Sequence, residues 1–320
     1  MSLPDIFMNR LRPSTRTFLK AARERPGGNM WEALHGLLYL KWPEAYIRVG
    51  LGRGHTAKLL REPASWLGRA LGLWNDNAGK RFADSYHGKV LPASDMKRLI
   101  RVNLPLSVTV PETVLPYSLA RDIILDNPAD LALLDCPCRA SAPNPCLPLD
   151  VCIIVGRPIV DFVLEHHPAK SRRVTVEEAV GVVDDSLKRG HVSHAFFKEA
   201  VLGRYYAICN CCSCCCGAMQ AHRSGVPMLA SSGYVPALME ERCIGCGICA
   251  KKCPFSAISM NGTENSAARP DISPDQCLGC GVCVAHCPGK ALELVLDPVK
   301  PKPLIPQARC GSRDTPANGL

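Results

Sequence analysis

Eight cysteines between residues 243 and 287 constrain this chain more than any other feature. They fall in two runs, CIGCGICAKKCP at 243–254 and CLGCGVCVAHCP at 277–288, each of the form C-x2-C-x2-C-x3-C-P. Three thiols at three-residue spacing let one loop wrap one face of a metal centre. Gly245, Gly247, Gly279 and Gly281 lack a Cβ and let backbone amides come close to the sulfurs. Pro254 and Pro288 turn the chain away after each fourth cysteine, with φ already fixed. Zinc knuckles and a disulfide knot also use paired cysteines. A doubled run with both prolines and all four glycines in register is hard to meet by chance in either.

The segment from about residue 242 to 296 resembles the bacterial-type ferredoxins that carry two [4Fe–4S] clusters. The resemblance implies crossed ligation, because the fourth thiol of each run lies too far round the chain to close its own cluster. One cluster would use Cys243, Cys246, Cys249 and Cys287. The other would use Cys277, Cys280, Cys283 and Cys253. Two clusters held close together suit single-electron transfer.

Ten further cysteines lie upstream. Cys136, Cys138, Cys146 and Cys152 sit in DCPCRASAPNPCLPLDVC, a loop stiffened by Pro137, Pro143, Pro145 and Pro148. Cys209, Cys211, Cys212, Cys214, Cys215 and Cys216 fill six of the eight positions of CNCCSCCC. A packed core would not choose thiols over Leu or Val at that density. The arrangement is similar to uncharacterised iron–sulfur proteins that join CPCR, CNCC-x-CCC and a ferredoxin module, a resemblance that names no reaction. In an extended chain alternate side chains share a face. Parity then puts Cys209 and Cys211 on one side and Cys212, Cys214 and Cys216 on the other, with Cys136 and Cys138 together. This favours two sites flanking one strand, each completed from the 136–152 loop, and hence one or two further clusters. Zinc or redox-active dithiols are the other readings of the same cysteines. Arg139 is a candidate charge partner for an anionic cluster, and a surface arginine otherwise.

The expected fold class is α+β, in four parts. A basic, mainly helical region spans 1–110. A cysteine-rich mixed α/β domain spans 111–236, with a winged-helix-like order of helix, glycine and strand near 175–197. The ferredoxin-like dicluster domain spans 237–298, and a disordered tail spans 299–320, with Cys310 alone in it. Residues 1–30 read as weakly ordered, interrupted by Pro13. Trp31, Leu34, Leu37, Leu38 and Leu40 have helical spacing and read as a packing helix stopped by Pro43. Further helices are expected over 55–73, from Ser94 and Asp95 to about Arg101, and over 114–127. Thr175 and Glu178 form a capping box for a helix ending at Gly190. Residues 87–92, 131–134, 191–197 and 204–208 read as strands.

Residues 1–110 hold 18 of the 38 Lys and Arg but 8 of the 29 Asp and Glu, so the basic excess is N-terminal. That excess suits docking to an acidic protein or an anionic membrane surface, and nucleic acid less well. The N-terminus lacks the apolar core of a secretory signal, no apolar run approaches a membrane span, and reduced thiols point to the cytoplasm. No G-x-G-x-x-G fingerprint appears. Residues 50–54, GLGRG, lack its spacing, so a flavin or nicotinamide site within the chain is not supported.

These features suggest an electron-transfer protein or subunit, its partner a flavoprotein, ferredoxin or dehydrogenase docked on the basic region. One alternative is a reductase acting at CNCCSCCC, with His191, His194, His222, Tyr205 and Tyr206 as candidate proton donors and His favoured near neutral pH. The other is a redox-sensing regulator.

Overall fold

The strand-forming runs of the central sequence assemble into one sheet. The computed structural model describes residues 10–25, 28–53, 78–102, 106–109, 122–125, 130–262 and 268–304. The helix expected over 55–73 and Cys310 lie outside these residues. In chain order the strands are β1 (Tyr86–Leu91), β2 (Leu106–Thr109), β3 (Asp122–Leu125), β4 (Leu131–Asp135), β5 (Asp150–Val155), β6 (Ser171–Val174), β7 (Val192–Lys198), β8 (Arg204–Cys211) and β9 (Leu229–Ala230). Seven of them pair in the order β6-β4-β5-β8-β7-β1-β9, antiparallel except for β1 with β9. β1 belongs to the N-terminal 110 residues, so that region and the central one share a sheet.

Alternating residues face opposite sides of each strand. On one side Leu131, Leu133, Ile153, Val155, Ala195 and Phe197 pack under α5 (Ala93–Arg101) and α8 (Val176–Lys188). On the other, Ala132, Leu134, Ile154, Val192 and Phe196 pack under α1 (Pro13–Glu24), α2 (Met30–Lys41) and α7 (Ile159–His166). Phe18 of α1 meets Phe162 of α7 with ring centroids 5.7 Å apart, and both are fully buried. Burying side chains of this size stabilises the face by about 1.5–3 kcal/mol each.

Several expectations need correction. Pro13 does not interrupt the N-terminus; it is the first residue of α1, where a missing N–H costs nothing. Pro43 does mark the end of α2, as expected, and itself begins a further helix, α3 (Pro43–Gly50). In α2 the core residues are Ala33, Gly36, Tyr39 and Leu40, while Leu34 and Leu38 face solvent and Trp31 is 82 % exposed. Neither Ser94 nor Asp95 caps α5; both sit inside its first turn, after Pro92. Residues 122–125, expected in a helix, are strand β3, paired with β2. That pairing is long-range, and Ile123 and Ile124 suit it. The capping box of α8 is present in both directions, Thr175 with Glu178. β7 and β8, the strands after α8, lie at the centre of the sheet.

After β9 the chain enters a smaller module. β10 (Tyr234–Leu238) pairs with β13 (Leu292–Leu296), and β11 (Ile258–Asn261) pairs with β12 (Arg269–Ile272). Short helices α10 (Ile248–Lys252) and α11 (Val282–Ala285) carry the third cysteine of each run, Cys249 and Cys283. Leu278 and Val282 are buried in the core of the large sheet, and His286 meets the carbonyl of Lys188 at 3.1 Å, which seats the module on α8. Residues 299–304 run on along the body, where Lys89 Nζ donates to the Lys302 carbonyl at 2.9 Å.

Candidate metal centres

In the C-terminal module the two cysteine runs fold back on each other. One cavity is lined by Cys243, Cys246, Cys249 and Cys287, with Ile244, Ile248 and Met260 among its apolar walls. A second is lined by Cys253, Cys277, Cys280 and Cys283, with Phe255, Leu278 and Leu294. Each cavity draws three thiols from one run and the fourth from the other. Backbone amides are aimed at the sulfurs in matching places. Ala257 N–H donates to Cys253 Sγ and Ala291 N–H to Cys287 Sγ, both at 3.3 Å, and Gly279 N–H donates to Cys277 Sγ at 3.4 Å. Such hydrogen bonds stabilise thiolates and tune the potential of a bound cluster. Burial pushes Cys283 up to about 12 and raises Cys277 and Cys280 as free thiols. A bound cation removes that penalty by taking the thiols as thiolates.

The ten upstream cysteines divide into six and four. Cys136 neighbours Cys138 and Cys152; Cys209 neighbours Cys152 and Cys211; Cys216 neighbours Cys211 and Cys138. The contacts close a ring, 136–138–216–211–209–152, with Cys152 and Cys209 sulfurs 3.7 Å apart. Cys136, Cys152, Cys211 and Cys216 are buried, and Cys138 and Cys209 partly so. Three members come from the β4–β5 segment and three from β8 and the start of α9 (Gly217–Arg223). The sheet register explains the meeting. Cys152 on β5, Cys209 on β8 and His194 on β7 form one cross-strand row.

The other four thiols, Cys146, Cys212, Cys214 and Cys215, all lie within 4.8 Å of one another. Parity along the strand anticipates Cys209 with Cys211, and Cys212 with Cys214. It fails for the last two, because β8 ends at Cys211 and a turn follows over 213–215. Cys215 therefore joins Cys212, and Cys216 swings back to the ring as the residue before α9.

Charge in the ring is uneven without metal. Contact with Cys152 and Cys211 lowers Cys209 to about 6, and contact with Cys138 and Cys211 lowers Cys216 to about 5. Cys152 and Cys211 are pushed up by the same contacts. Arg139 is no surface arginine. It is 1 % exposed and donates to the carbonyls of Pro148 and Asn210, with His191 Nδ1 at 3.1 Å. Its charge favours the thiolate of Cys209. His194 is fully buried, burial lowers it to about 3, and neither ring nitrogen has a hydrogen bond of normal geometry. Burial and the Arg139 charge lower His191 to about 4. His222 lies edge-on to Phe255, 6.4 Å between centroids, and Phe255 lines the second cavity of the module. Tyr206 shares the ring's side of the sheet and hydrogen-bonds Tyr39 at 2.7 Å, whereas Tyr205 packs on the opposite side.

Arg53, not singled out by the sequence, ties the two upstream sites together. It donates to the carbonyl of Cys138, to Ser141 Oγ and to the carbonyl of Cys215 at 3.0–3.2 Å. No local motif marks it, since its partners are 85 to 162 residues away. Among the described residues no helix is long and apolar enough to cross a membrane.

No curated protein matches the chain. Residues 242–291 match the family described as the 4Fe-4S dicluster domain, which supports a ferredoxin-type iron–sulfur domain near the C-terminus.

Proposed function

We propose that this chain relays single electrons between a separate redox protein and an acceptor, through the two clusters of its C-terminal module and a further cluster in the six-thiol ring. The supporting observation is the placement of that ring. It is shielded within the body on which the module sits; Phe255 of the second cavity meets His222, and His194 lies opposite Cys209 in the sheet. Clusters at these sites supply one-electron storage and transfer. The protein's own residues hold the thiols in place, exclude water and set charge. The crossed sets are Cys243, Cys246, Cys249 and Cys287, and Cys277, Cys280, Cys283 and Cys253. Arg139 offsets negative charge at the ring, and His194 stays neutral beside it.

The electron partner docks on the basic N-terminal region, where α2 presents Trp31, Leu34 and Leu38 to solvent. A redox titration of the anaerobically reconstituted chain tests the relay. Three one-electron centres are expected by electron paramagnetic resonance, and Cys209→Ser removes one while the module's pair persists. Two centres in the wild-type chain refute the reading. A second reading, substrate reduction at the ring, draws on its six thiols, two more than one cubane takes. Reoxidation of the dithionite-reduced chain by a substrate, with no partner present, is its signature.

A further inference from the structure

We propose that Cys146, Cys212, Cys214 and Cys215 hold a single tetrahedral metal ion, zinc in the first instance, and not an iron–sulfur cluster. Sulfur spacing decides between the two. An ion with bonds of about 2.3 Å in a tetrahedron sets its four sulfurs about 3.8 Å apart. Here every pair lies within 4.8 Å, with Cys214 and Cys215 at 3.7 Å and Cys146 and Cys214 at 2.9 Å. A cluster of two or four irons places inorganic sulfide and iron between its thiolates, and so spreads the set by its own size. Neither crossed set of the module falls within the 4.8 Å limit. Among the described residues only the 146/212/214/215 group is drawn together this tightly. The closest pair is also longer than the S–S bond of about 2.05 Å that a disulfide needs.

The turn carrying three of the four ligands is held from outside. Arg223 donates to the carbonyl of Ser213 at 2.6 Å, Gln220 to that of Cys214 at 2.8 Å and Arg53 to that of Cys215 at 3.2 Å. Four thiolates around a divalent ion carry two net negative charges, and Arg53 and Arg223 bring two positive charges to the same turn. Tetrahedral all-thiolate coordination selects zinc or iron among common ions. Cys211 and Cys216 flank this turn and belong to the six-thiol ring. The ion therefore fixes the approach of two ring members, whatever the ring itself holds.

The test is metal analysis of the full-length protein purified without air, with cobalt(II) substitution as the spectroscopic probe. About one zinc per chain is expected, replaceable by one cobalt whose intense visible bands report tetrahedral thiolate coordination. Cys146→Ser should bring that stoichiometry below a tenth and leave the iron content of the C-terminal module unchanged. Cys214→Ser, at an exposed position, repeats the test should the first variant fold poorly. One iron in place of zinc, with the absorption of an isolated Fe–S4 site, also supports a single ion. Loss of about four irons in either variant overturns the proposal. So does a Cys146–Cys214 disulfide in the anaerobically purified protein, found by non-reducing peptide mapping.

Discussion

Gly279 and Gly247 provide the most controlled test of the C-terminal module, because they have similar backbone conformations and different surroundings. Their φ angles are +66° and +70°. Alanine in that left-handed region costs about 1–2 kcal/mol at either position. The surroundings then separate them. A Cβ on Gly247 meets nothing nearer than Met260 Cγ at 3.8 Å, an ordinary van der Waals contact with a flexible side chain. A Cβ on Gly279 would lie 2.2 Å from the Tyr234 carbonyl oxygen and 2.3 Å from Ser232 Oγ. Tyr234 cannot retreat without opening its pairing with Leu296 in β10–β13. Overpacking of this kind adds about 1–3 kcal/mol. The strain also falls on Gly279 N–H, which donates to Cys277 Sγ, and on its carbonyl, which accepts from Ser232 Oγ at 2.7 Å. Gly279→Ala should thus cost about 1–3 kcal/mol more than Gly247→Ala. The assay is iron content and thermal loss of cluster absorbance in anaerobically reconstituted protein. Gly279→Ala should lose the cluster of Cys277, Cys280, Cys283 and Cys253, about four irons, while Gly247→Ala keeps both clusters. Equal damage in the two variants, or full retention by Gly279→Ala, refutes the reasoning.

Other expectations follow from single contacts. Arg53→Met removes the donor shared by the Cys138 and Cys215 segments; a charge-assisted hydrogen bond contributes about 1.5–3 kcal/mol. Metal retention upstream should weaken at least tenfold in a chelator challenge, with the module's clusters unaffected. Lys89 is fully buried, and burial lowers it from 10.5 to about 7. The unfolded chain then holds that proton more tightly, so stability should rise between pH 7 and about 10. Urea titrations should show Lys89→Met lacking that part of the rise. Thr175→Ala breaks the capping box of α8 and should cost about 1 kcal/mol in the same titration without changing iron content.

The two cysteine runs of the module are legible in the sequence because their spacing is local and doubled. The α8 helix is legible because Thr175 and Glu178 are three residues apart. The division of the upstream cysteines is only half legible. Alternation holds while β8 stays extended, and Cys209 with Cys211 follows from it. At 213–215 the backbone turns, and no periodic rule assigns Cys215 and Cys216. Arg53 and the cross-strand row of Cys152, Cys209 and His194 depend on strand register over long separations, which composition does not encode. The exposed Trp31, Leu34 and Leu38 mislead for a related reason: their helical spacing is real, but α2 turns the side with Ala33, Gly36, Tyr39 and Leu40 to the core.

Counting iron and acid-labile sulfide per chain, in wild type and in Cys209→Ser, tests the central claim most directly. A dicluster module joined to a third cluster in the six-thiol ring predicts about 12 irons with matching sulfide, falling to about 8 in the variant. About 8 in both proteins would show that the ring holds no cluster and would contradict the account.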